Sequence, residues 1–578
     1  MNVQGLANFI WEVADTLRGD YKQSSYGQVI LPFTVLRRLD CVLDSTKEKV
    51  LNKYESIKSM KEDAIDKILN KESGYNFHNR SKFDLQKLLA EHDKVAINLR
   101  NYVAGFSVDA REILDKFKFD DQITFLDDKN LLFLVLESFA KIDLHPNKVS
   151  SIEMGYVFEE LIRKFAEISN ETAGEHFTPR EVIKLMVNLL FNNDRDMLSK
   201  KGIVKTLYDC ACGTGGMLSV AEEYLAELNP DARLEVFGQE LNDESYAICK
   251  SDMLIKGQKA SNIKFGNSFT VDGFPNEKFD YSLVNPPFGV AWKKVQKQIK
   301  KEHDDLGYGG RFGAGLPRIS DGSLLFLQHL ISKMKSSNGG SRIAIVFNGS
   351  PLFSGSAGSG ESEIRRWVIE NDMLETVVAL PDQLFYNTGI STYFWIVTNR
   401  KEEIRKGKVQ LINAVSFFHK MSKSLGNKRN EISEDDIKTI SQIYGEFEEG
   451  KYCKIFDNAH FGYSRVVVER PLMKVGKVVA TNKGIPKPDT KLRDYENIPL
   501  KKGKTESSEH DIQEYMEKEV LPHVPDAFIT HPKTKVGYEI NFTKCFYEYK
   551  PLRSLAEIRA DILALEKETD GLLSGVIN

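Results

Sequence analysis

Seven short β-rich segments alternate with helical segments between residues 151 and about 400, and this alternation constrains the fold most strongly. β-rich runs separated by helices are typical of a parallel sheet with helices on both faces. The sequence therefore predicts an α/β fold with a doubly wound sheet. Ligands bind such sheets at the carboxyl ends of the strands, so functional residues are sought there first. The predicted strands are residues 206–209, 234–240, 263–265, 281–285, 342–347, 376–380 and 393–397.

The segments on either side of this region have other patterns. Residues 1–150 contain apolar residues at helical spacing, such as Phe9, Val13 and Leu17, and predict an all-α domain. Residues from about 470 to 510 are rich in Lys, Pro, Gly, Asn and Thr, which is typical of a linker. We therefore expect a helical domain at 1–150, an α/β domain at 151–475, and a linker with a C-terminal extension at 476–578.

The C-terminal extension ends in a predicted helix with a seam of apolar residues. The 3-4 spacing of this seam suits packing against another helix, although Thr569 interrupts it. Its members are Leu555, Ile558, Ile562, Leu565 and Leu572.

The composition, 41% hydrophobic and 28% charged, is typical of a soluble globular protein. A net charge of −4 weighs against a protein that binds DNA on its own, because such proteins usually carry a basic excess. The six cysteines lack the spacing of a zinc site and are expected to be reduced. No apolar run approaches the ~20 residues of a membrane span, and the N-terminus lacks a signal-peptide pattern. We therefore expect a cytoplasmic protein that does not insert into membranes.

A glycine-rich loop, residues 209–216 (DCACGTGG), follows the first predicted strand. Glycines let the backbone turn tightly and approach a ligand closely, although the loop could also be an ordinary strand-to-helix turn or a phosphate loop. It has neither the G-x-G-x-x-G spacing of a dinucleotide fold nor the Lys-Ser/Thr of a P-loop. Glu240 ends the following strand, and an acid about 20 residues beyond such a loop is placed to accept hydrogen bonds from a ribose. These features together favour an adenosine cofactor without a pyrophosphate. The predicted contacts are Asp209, Gly213, Thr214, Gly215, Gly216, Glu240 and, after the third strand, Asn267.

A predicted helix start lies before the glycine loop. Thr178 is a good N-cap, Pro179 suits the first helical position, and Glu181 completes a capping box. This pattern can be local structure alone, but a helix N-terminus also attracts anions, such as a carboxylate of a cofactor. The candidate cofactor contacts here are Glu175, His176, Phe177, Thr178, Pro179 and Arg180.

The fourth predicted strand runs into Asn285, Pro286, Pro287 and Phe288, which we call the NPPF turn. Methyl transfer to an aromatic amine is difficult because the nitrogen lone pair is delocalised into the ring. Two acceptors, the Asn285 side-chain oxygen and the Pro286 carbonyl, could draw the amine hydrogens and localise the lone pair. The prolines would hold these acceptors in place, and Phe288 offers a stacking face for a base outside the duplex. This chemistry needs no metal and no strong general base, although the turn could also be a plain strand end.

Taken in order, the segment 174–180, the glycine loop, Glu240 and the NPPF turn resemble amino-methyltransferases of the N6-adenine class. The chain is more closely similar to the modification subunit of type I restriction–modification systems. This narrower resemblance also rests on residues 11–19 (WEVADTLRG), 311–317 (RFGAGLP) and 536–543 (VGYEINFT). His176 departs from the pattern, since an aromatic Tyr or Phe is expected before Phe177.

The resemblance implies S-adenosylmethionine as the cofactor and an adenine of double-stranded DNA as the substrate. It implies a Rossmann-like methyltransferase domain, a helical N-terminal domain, and a C-terminal extension that docks on a specificity subunit. Two modification subunits would bind one specificity subunit, and a restriction subunit can join them. The partner would then carry the surface that reads the DNA sequence, which would account for the negative charge of this chain.

Five lysines follow the NPPF turn directly. A charge run of this kind is usually a solvated surface, but its position beside the predicted base pocket also suits contact with phosphate. The five residues are Lys293, Lys294, Lys297, Lys300 and Lys301.

Three alternatives stay open at this point. An Asn-Pro-Pro-aromatic turn also serves enzymes that methylate glutamine in proteins, so a protein or RNA amino-methyltransferase is one. A scaffold with a relic methyltransferase domain is another, although the intact motifs weigh against it. A dehydrogenase is the least consistent with the glycine spacing.

Overall fold

The computed structural model describes residues 3–169, 178–194, 198–337, 339–386, 388–481, 484–529, 534–549 and 553–577. It contains two compact units, Met1–Ile540 and Asn541–Asn578. Within the described ranges, no helix combines the length and the apolar character needed to cross a membrane.

The N-terminal part of the first unit is helical, as predicted. Its helices pack around two apolar cores, a large one that includes Phe33, Leu36 and Phe139 and a small one between residues 47–57 and 62–73 that includes Val50 and Leu69. They are α1 (Val3–Leu17), α2 (Gly27–Leu43), α3 (Lys47–Ile57), α4 (Glu62–Ser73), α5 (Leu85–Leu88), α6 (Val95–Ala104), α7 (Val108–Lys116), α8 (Phe119–Asp128), α9 (Leu132–Ala140) and α10 (Ser151–Ser169).

An α/β region follows, and it contains all seven predicted strands with ends shifted by at most two residues. Its first elements are α11 (Arg180–Asn192), β1 (Val204–Asp209), α12 (Gly216–Leu228), β2 (Arg233–Glu240), α13 (Asp243–Ile255), β3 (Ile263–Phe265), β4 (Tyr281–Val284) and α14 (Gln296–Leu306). They continue with α15 (Ser323–Ser332), β5 (Arg342–Asn348), α16 (Ser350–Phe353), α17 (Gly360–Glu370), β6 (Leu374–Ala379), β7 (Thr392–Thr398), β8 (Lys408–Asn413), β9 (His419–Leu425), β10 (Lys428–Glu431), α18 (Glu434–Glu446) and β11 (Cys453–Asp457).

Nine of these strands form one sheet in the order β11-β8-β6-β7-β5-β4-β1-β2-β3. Strands β1 to β5 pair in parallel, which confirms the predicted α/β fold. Strand β7 runs antiparallel to both of its neighbours, β5 and β6, and β11 runs antiparallel to β8. The sheet is therefore mostly parallel rather than wholly parallel.

The order of the strands reverses direction at β1. From β1 the chain adds β2 and β3 on one side and then returns to add β4 and β5 on the other side. A crevice opens at such a switch point, outside the carboxyl ends of the strands, and ligands bind there. The glycine loop follows β1 and the NPPF turn follows β4, so the topology brings the two predicted motifs to the same crevice.

The helical domain packs directly on the α/β region through α13. Ala247, Ile248 and Leu254 of this helix belong to the N-terminal apolar core. Glu112 of α7 accepts a hydrogen bond from the Tyr246 hydroxyl at 2.8 Å and forms an ion pair with Lys250 at 2.6 Å. The N-terminal domain therefore supports the helix that follows β2.

The sequence predicts a linker near residues 470–510, but the structure contains paired strands there. Strand β15 pairs antiparallel with β12 from Tyr463↔Pro499 to Val468↔Asp494. The abundance of Gly, Pro and Lys reflects the short hairpin and turns between these strands rather than an unstructured connection. The remaining elements of the first unit are β12 (Gly462–Glu469), β13 (Met473–Lys474), β14 (Lys477–Val478), β15 (Asp494–Pro499), α19 (Glu509–Tyr515), β16 (Phe528–Ile529) and β17 (Lys535–Tyr538).

The second unit contains α20 (Phe542–Cys545) and α21 (Leu555–Ile577). The described seam residues Leu555, Ile558, Ile562 and Leu565 on α21 are all exposed. The sequence therefore predicted this helix correctly, and its apolar side chains are accessible.

Candidate active site

A cavity of about 600 Å³ lies at the carboxyl ends of β1, β2 and β4. The glycine loop, the end of β2, the segment after β3 and the NPPF turn all contribute to its wall. Of the predicted site residues, those that line it are Thr178, Asp209, Gly213, Thr214, Gly216, Glu240, Asn267, Asn285 and Pro287. Pro179, Arg180, Gly215, Pro286 and Phe288 are not among the lining residues. Glu175, His176 and Phe177 lie outside the described residues.

The glycine loop needs glycine at two positions for a physical reason. Gly213 and Gly215 have φ angles of 54° and 85°, in the left-handed region that side chains disfavour. At Gly215, a Cβ atom would also lie 2.8 Å from the Cys249 sulfur. At Gly213, by contrast, nothing lies within 4 Å of the position that a Cβ would take, so the loop backbone is open to a ligand on this side.

Glu240 fixes the glycine loop to the end of β2. One carboxylate oxygen accepts a hydrogen bond from the Gly213 N–H at 2.8 Å. The other accepts from the N–H groups of Leu241 at 2.7 Å and Asn242 at 2.8 Å. Burial raises the pKa of Glu240 above its ordinary value, and the three N–H groups oppose this rise. Glu240 therefore shapes the loop as well as lining the cavity.

We expect Glu240→Ala to weaken cofactor binding by about 10- to 100-fold, because a hydrogen bond to a charged group contributes ~1.5–3 kcal/mol. Glu240→Gln keeps one acceptor oxygen and is expected to have an intermediate effect. Titration calorimetry with S-adenosylmethionine measures both variants. An unchanged dissociation constant in a folded Glu240→Ala protein would contradict this role.

Asp209 is a fully buried carboxyl group of the cavity whose pKa is strongly raised. Burial raises its pKa to about 8, the neighbouring Glu240 adds to the rise, and the Ala211 N–H, which donates to it at 3.0 Å, opposes it. Below this pH the folded chain therefore holds Asp209 protonated, whereas the unfolded chain ionises it near pH 4.

The raised pKa predicts a pH dependence of stability. As the pH rises from about 4 to 8, the unfolded chain loses the proton and the folded chain keeps it, so stability falls by about 1.4 kcal/mol per pH unit from this group. Asp209→Asn removes the titrating group and therefore also removes this fall in stability. In urea titrations at pH 5, 6 and 7, the variant should gain in unfolding free energy relative to the wild type as the pH rises. A difference that does not change with pH would contradict the prediction.

The start of α11 differs from the predicted capping box. The helix begins at Arg180 with Pro179 as its N-cap, and neither Thr178 nor Glu181 caps it. The Thr178 hydroxyl instead accepts a hydrogen bond from the Asn285 side-chain amide at 2.8 Å, and Glu181 pairs with Lys428 of β10. The local sequence predicts a helix cap, but the side chains of Thr178 and Glu181 instead bond to residues that are distant in the sequence.

Arg180 and Glu159 form a buried pair behind the glycine loop. The Arg180 guanidinium contacts the Glu159 carboxylate at 3.0 Å and donates to the Gly216 carbonyl at 3.1 Å. Burial raises the pKa of Glu159, and Arg180 opposes the rise. Glu159 lines the cavity, but its role cannot be predicted from the sequence because nothing in α10 distinguishes it from neighbouring acids.

The NPPF turn begins one residue beyond the end of β4. The Asn285 side-chain oxygen is buried, and its amide nitrogen is held by Thr178. Phe288 is 9% exposed and packs edge-on against Phe385, with ring centroids 6.4 Å apart.

The segment after β3 forms another part of the wall, and Arg311 holds it in place. The Ser268 hydroxyl donates to the Cys210 carbonyl at 2.6 Å, which joins this segment to the glycine loop. Arg311 donates to the carbonyls of Ser268 at 2.8 Å and Phe269 at 2.7 Å. Arg311 lies in the loop 311–317 that carried part of the family resemblance, but its contact with the cavity wall was not predicted.

Comparison with protein families gives two matches. The N-6 DNA Methylase family matches residues 150–467, just over half of the chain, and the HsdM N-terminal domain family matches residues 6–139. The first match contains the glycine loop and the NPPF turn, and the second lies within the helical domain.

Individual relatives agree with these matches. The type I restriction enzyme MjaIX methylase subunit of Methanocaldococcus jannaschii is 26% identical over 528 residues, covering 89% of this chain and 88% of that protein. The type I restriction enzyme MpnII methylase subunit of Mycoplasma pneumoniae is 24% identical and covers 78% of this chain and 85% of that protein. Among solved structures, the type I restriction-modification system methyltransferase subunit from Streptococcus thermophilus shares the fold, with a TM-score of 0.62, 24% identity, and coverage of 80% and 97% of the two chains.

Proposed function

This chain belongs to the N-6 DNA methylase family, and on that premise we propose that its cavity binds S-adenosylmethionine and that its NPPF turn receives the adenine to be methylated. The chain is an adenine-specific DNA methyltransferase, the methylase subunit of a type I restriction–modification system. The observation that carries the site assignment is the convergence of the glycine loop, Glu240 and Asn285 on one cavity.

The residues of the cavity fit this cofactor. A volume of about 600 Å³ falls within the ~300–1,000 Å³ of ordinary ligand pockets, and the Gly213 backbone is open to a ligand. The Glu159 oxygen that Arg180 does not contact is buried and has no hydrogen-bond partner among the described residues. This acceptor suits a cationic group such as the cofactor's ammonium, while the glycine loop and Glu240 would hold the nucleoside. Bound S-adenosylmethionine would supply a methyl group activated by its sulfonium.

The NPPF turn would prepare the amine for transfer. The Asn285 oxygen and the Pro286 carbonyl would accept the two amine hydrogens and so aim the nitrogen lone pair towards the methyl group. Thr178 holds the Asn285 amide in place, so the Asn285 acceptor would need little reorganisation when the substrate binds. After transfer, the nitrogen loses a proton, which needs no strong base because the protonated product is acidic.

A partner is needed to bring DNA to this site. Flipping an adenine out of a duplex costs a few kcal/mol, and a chain of net charge −4 offers little overall attraction to phosphates. We therefore infer that a specificity subunit binds double-stranded DNA together with two copies of this chain, that a restriction subunit can join them, and that the complex acts in the cytoplasm. Helix α21 is our candidate for the contact with the specificity subunit. No observation favours methylation of protein or RNA.

Transfer of tritium from labelled S-adenosylmethionine tests the proposal. The chain, purified together with its specificity subunit, is incubated with unmodified DNA, with RNA, and with cell protein. Label is expected in DNA alone. Label in protein or RNA, with none in DNA, would contradict the proposed function.

A further inference from the structure

The lysines beside the NPPF turn form one surface, which we call the lysine face. All of them are exposed. The chain reaches this face directly from Val290, which lines the cavity, and then continues into α14. The face consists of Lys293, Lys294, Lys297, Lys300 and Lys301.

Helix α14 presents three of these lysines outward and is anchored on its other side. Ile299 is fully buried in a small apolar core. Lys297, Lys300 and Lys301 follow the i, i+3, i+4 spacing of a single helix face, and that face lies opposite Ile299. The core also includes Trp292, Phe312, Leu325 and the cavity-lining Phe269.

Arg311 provides a second connection between the lysine face and the cavity. Its guanidinium forms an ion pair with Glu302 of α14 at 2.6 Å. The same group donates to the carbonyls of Ser268 and Phe269 in the cavity wall. The lysine face is therefore held at a fixed position relative to the proposed cofactor site, rather than on an independent loop.

The stability of α14 does not account for these lysines. They cluster around the N-terminal half of the helix, where its dipole disfavours cations, and no acidic residue occupies the first turn. Lys297 and Lys301 also repel each other at i, i+4 spacing, and Asp304 and Asp305, which stand at i+4 from Lys300 and Lys301, do not come within ion-pair distance of them. In the part of the chain that the structure describes, none of the five has a carboxylate within ion-pair distance, although ion pairs are frequent elsewhere in that part. A lysine cluster that is unfavourable for its own helix, and that forms no ion pairs within the described residues, suits contact with a polyanion outside the chain.

We propose that the lysine face binds the phosphate backbone of DNA next to the cavity and so positions the strand that carries the target adenine. This inference rests on the proposed function, because it takes DNA as the substrate. Anchoring by Ile299 and Arg311 would keep the bound phosphates at a fixed distance from the NPPF turn.

The salt dependence of DNA binding tests the inference, with the chain in complex with its specificity subunit. Each phosphate contact adds about 0.9 to the slope of log affinity against log salt. The double variant Lys297→Gln with Lys301→Gln should make this slope shallower by ~1.8. The factor by which its affinity falls between ~50 and ~200 mM salt should therefore be about 12-fold smaller than in the wild type. The KM for DNA should rise, whereas kcat and S-adenosylmethionine affinity should stay unchanged.

Lys49→Gln with Lys53→Gln is the matched control, because these exposed lysines have the same i, i+4 spacing on α3. It removes the same charge and should leave the slope near the wild-type value. Lys293→Gln with Lys294→Gln changes residues before α14, so a lower slope in this variant cannot come from a weakened helix.

Two results would overturn the inference while leaving the proposed function intact: an unchanged slope in both lysine-face variants, or an equal decrease in the control. A wild-type complex that neither binds nor methylates DNA would instead contradict the proposed function, and the inference with it.

Discussion

Asn285→Ala is expected to lower the rate of methyl transfer at least a hundredfold and to leave S-adenosylmethionine binding nearly unchanged. Removing one preorganised polar group from an active site typically costs about 10²–10³ in rate. In this chain, Asn285 contributes the only side-chain acceptor of the NPPF turn, and its amide is already oriented by Thr178. The glycine loop, Glu240 and Glu159, which we propose as the main cofactor contacts, lie on other elements, so cofactor binding should depend little on Asn285.

Single-turnover methylation of DNA and titration calorimetry separate these two effects. Thr178→Val is the graded control, because it removes the acceptor that orients Asn285 but keeps the amide itself. Its rate should fall less than that of Asn285→Ala. Normal turnover by a folded Asn285→Ala protein would rule out the proposed role of the turn.

Removing the chain from Ser554 onward should leave a folded protein that binds S-adenosylmethionine but no longer co-purifies with the specificity subunit. The truncation falls within Asn541–Asn578, which form a compact unit of their own, so it should not unfold the methyltransferase domain. The exposed fractions of Leu555 and Leu565 on α21 are 86% and 61%. Such a seam gains about 25 cal/mol for each Å² of apolar surface that a partner covers, which makes it a suitable docking element.

Pull-down measures how much of the specificity subunit binds to the truncated chain, and an assay of DNA methylation by the recovered protein should show a parallel decrease. Ile562→Ser with Leu565→Ser should reproduce the loss in the full-length chain. Lys567→Ser, on the opposite side of α21, should not. Recovery of the partner at full yield by the truncated chain would refute the docking role. Loss of solubility and of cofactor binding would show instead that the helix serves the chain's own core.

The sequence predicted the parts of the site that are determined locally. The glycine loop and the NPPF turn depend on the backbone preferences of glycine and proline, and these preferences act within a few residues. The carboxyl ends of β1, β2 and β4 could be predicted for the same reason, because each strand is a short β-rich run that ends in a turn.

Features that depend on distant contacts could not be predicted in this way. Thr178 has the sequence pattern of a helix cap, but it bonds to Asn285, more than a hundred residues away. Strand β7 has an ordinary strand sequence, and only its neighbours β5 and β6 determine that it runs antiparallel. Glu159 and Arg311 belong to the site through tertiary packing, which leaves no local signal. The strand β15 was missed because the residues before it favour turns.

All of the roles proposed for the cavity depend on methylation of the N6 amine of adenine in DNA by this chain. Base-resolution sequencing of modified bases tests it most directly, in DNA from cells that carry the intact operon and from matched cells whose only change is Asn285→Ala. We expect N6-methyladenine at one defined sequence in the first DNA and none at that sequence in the second. The absence of N6-methyladenine from the first DNA, or the same methylation in both, would contradict it.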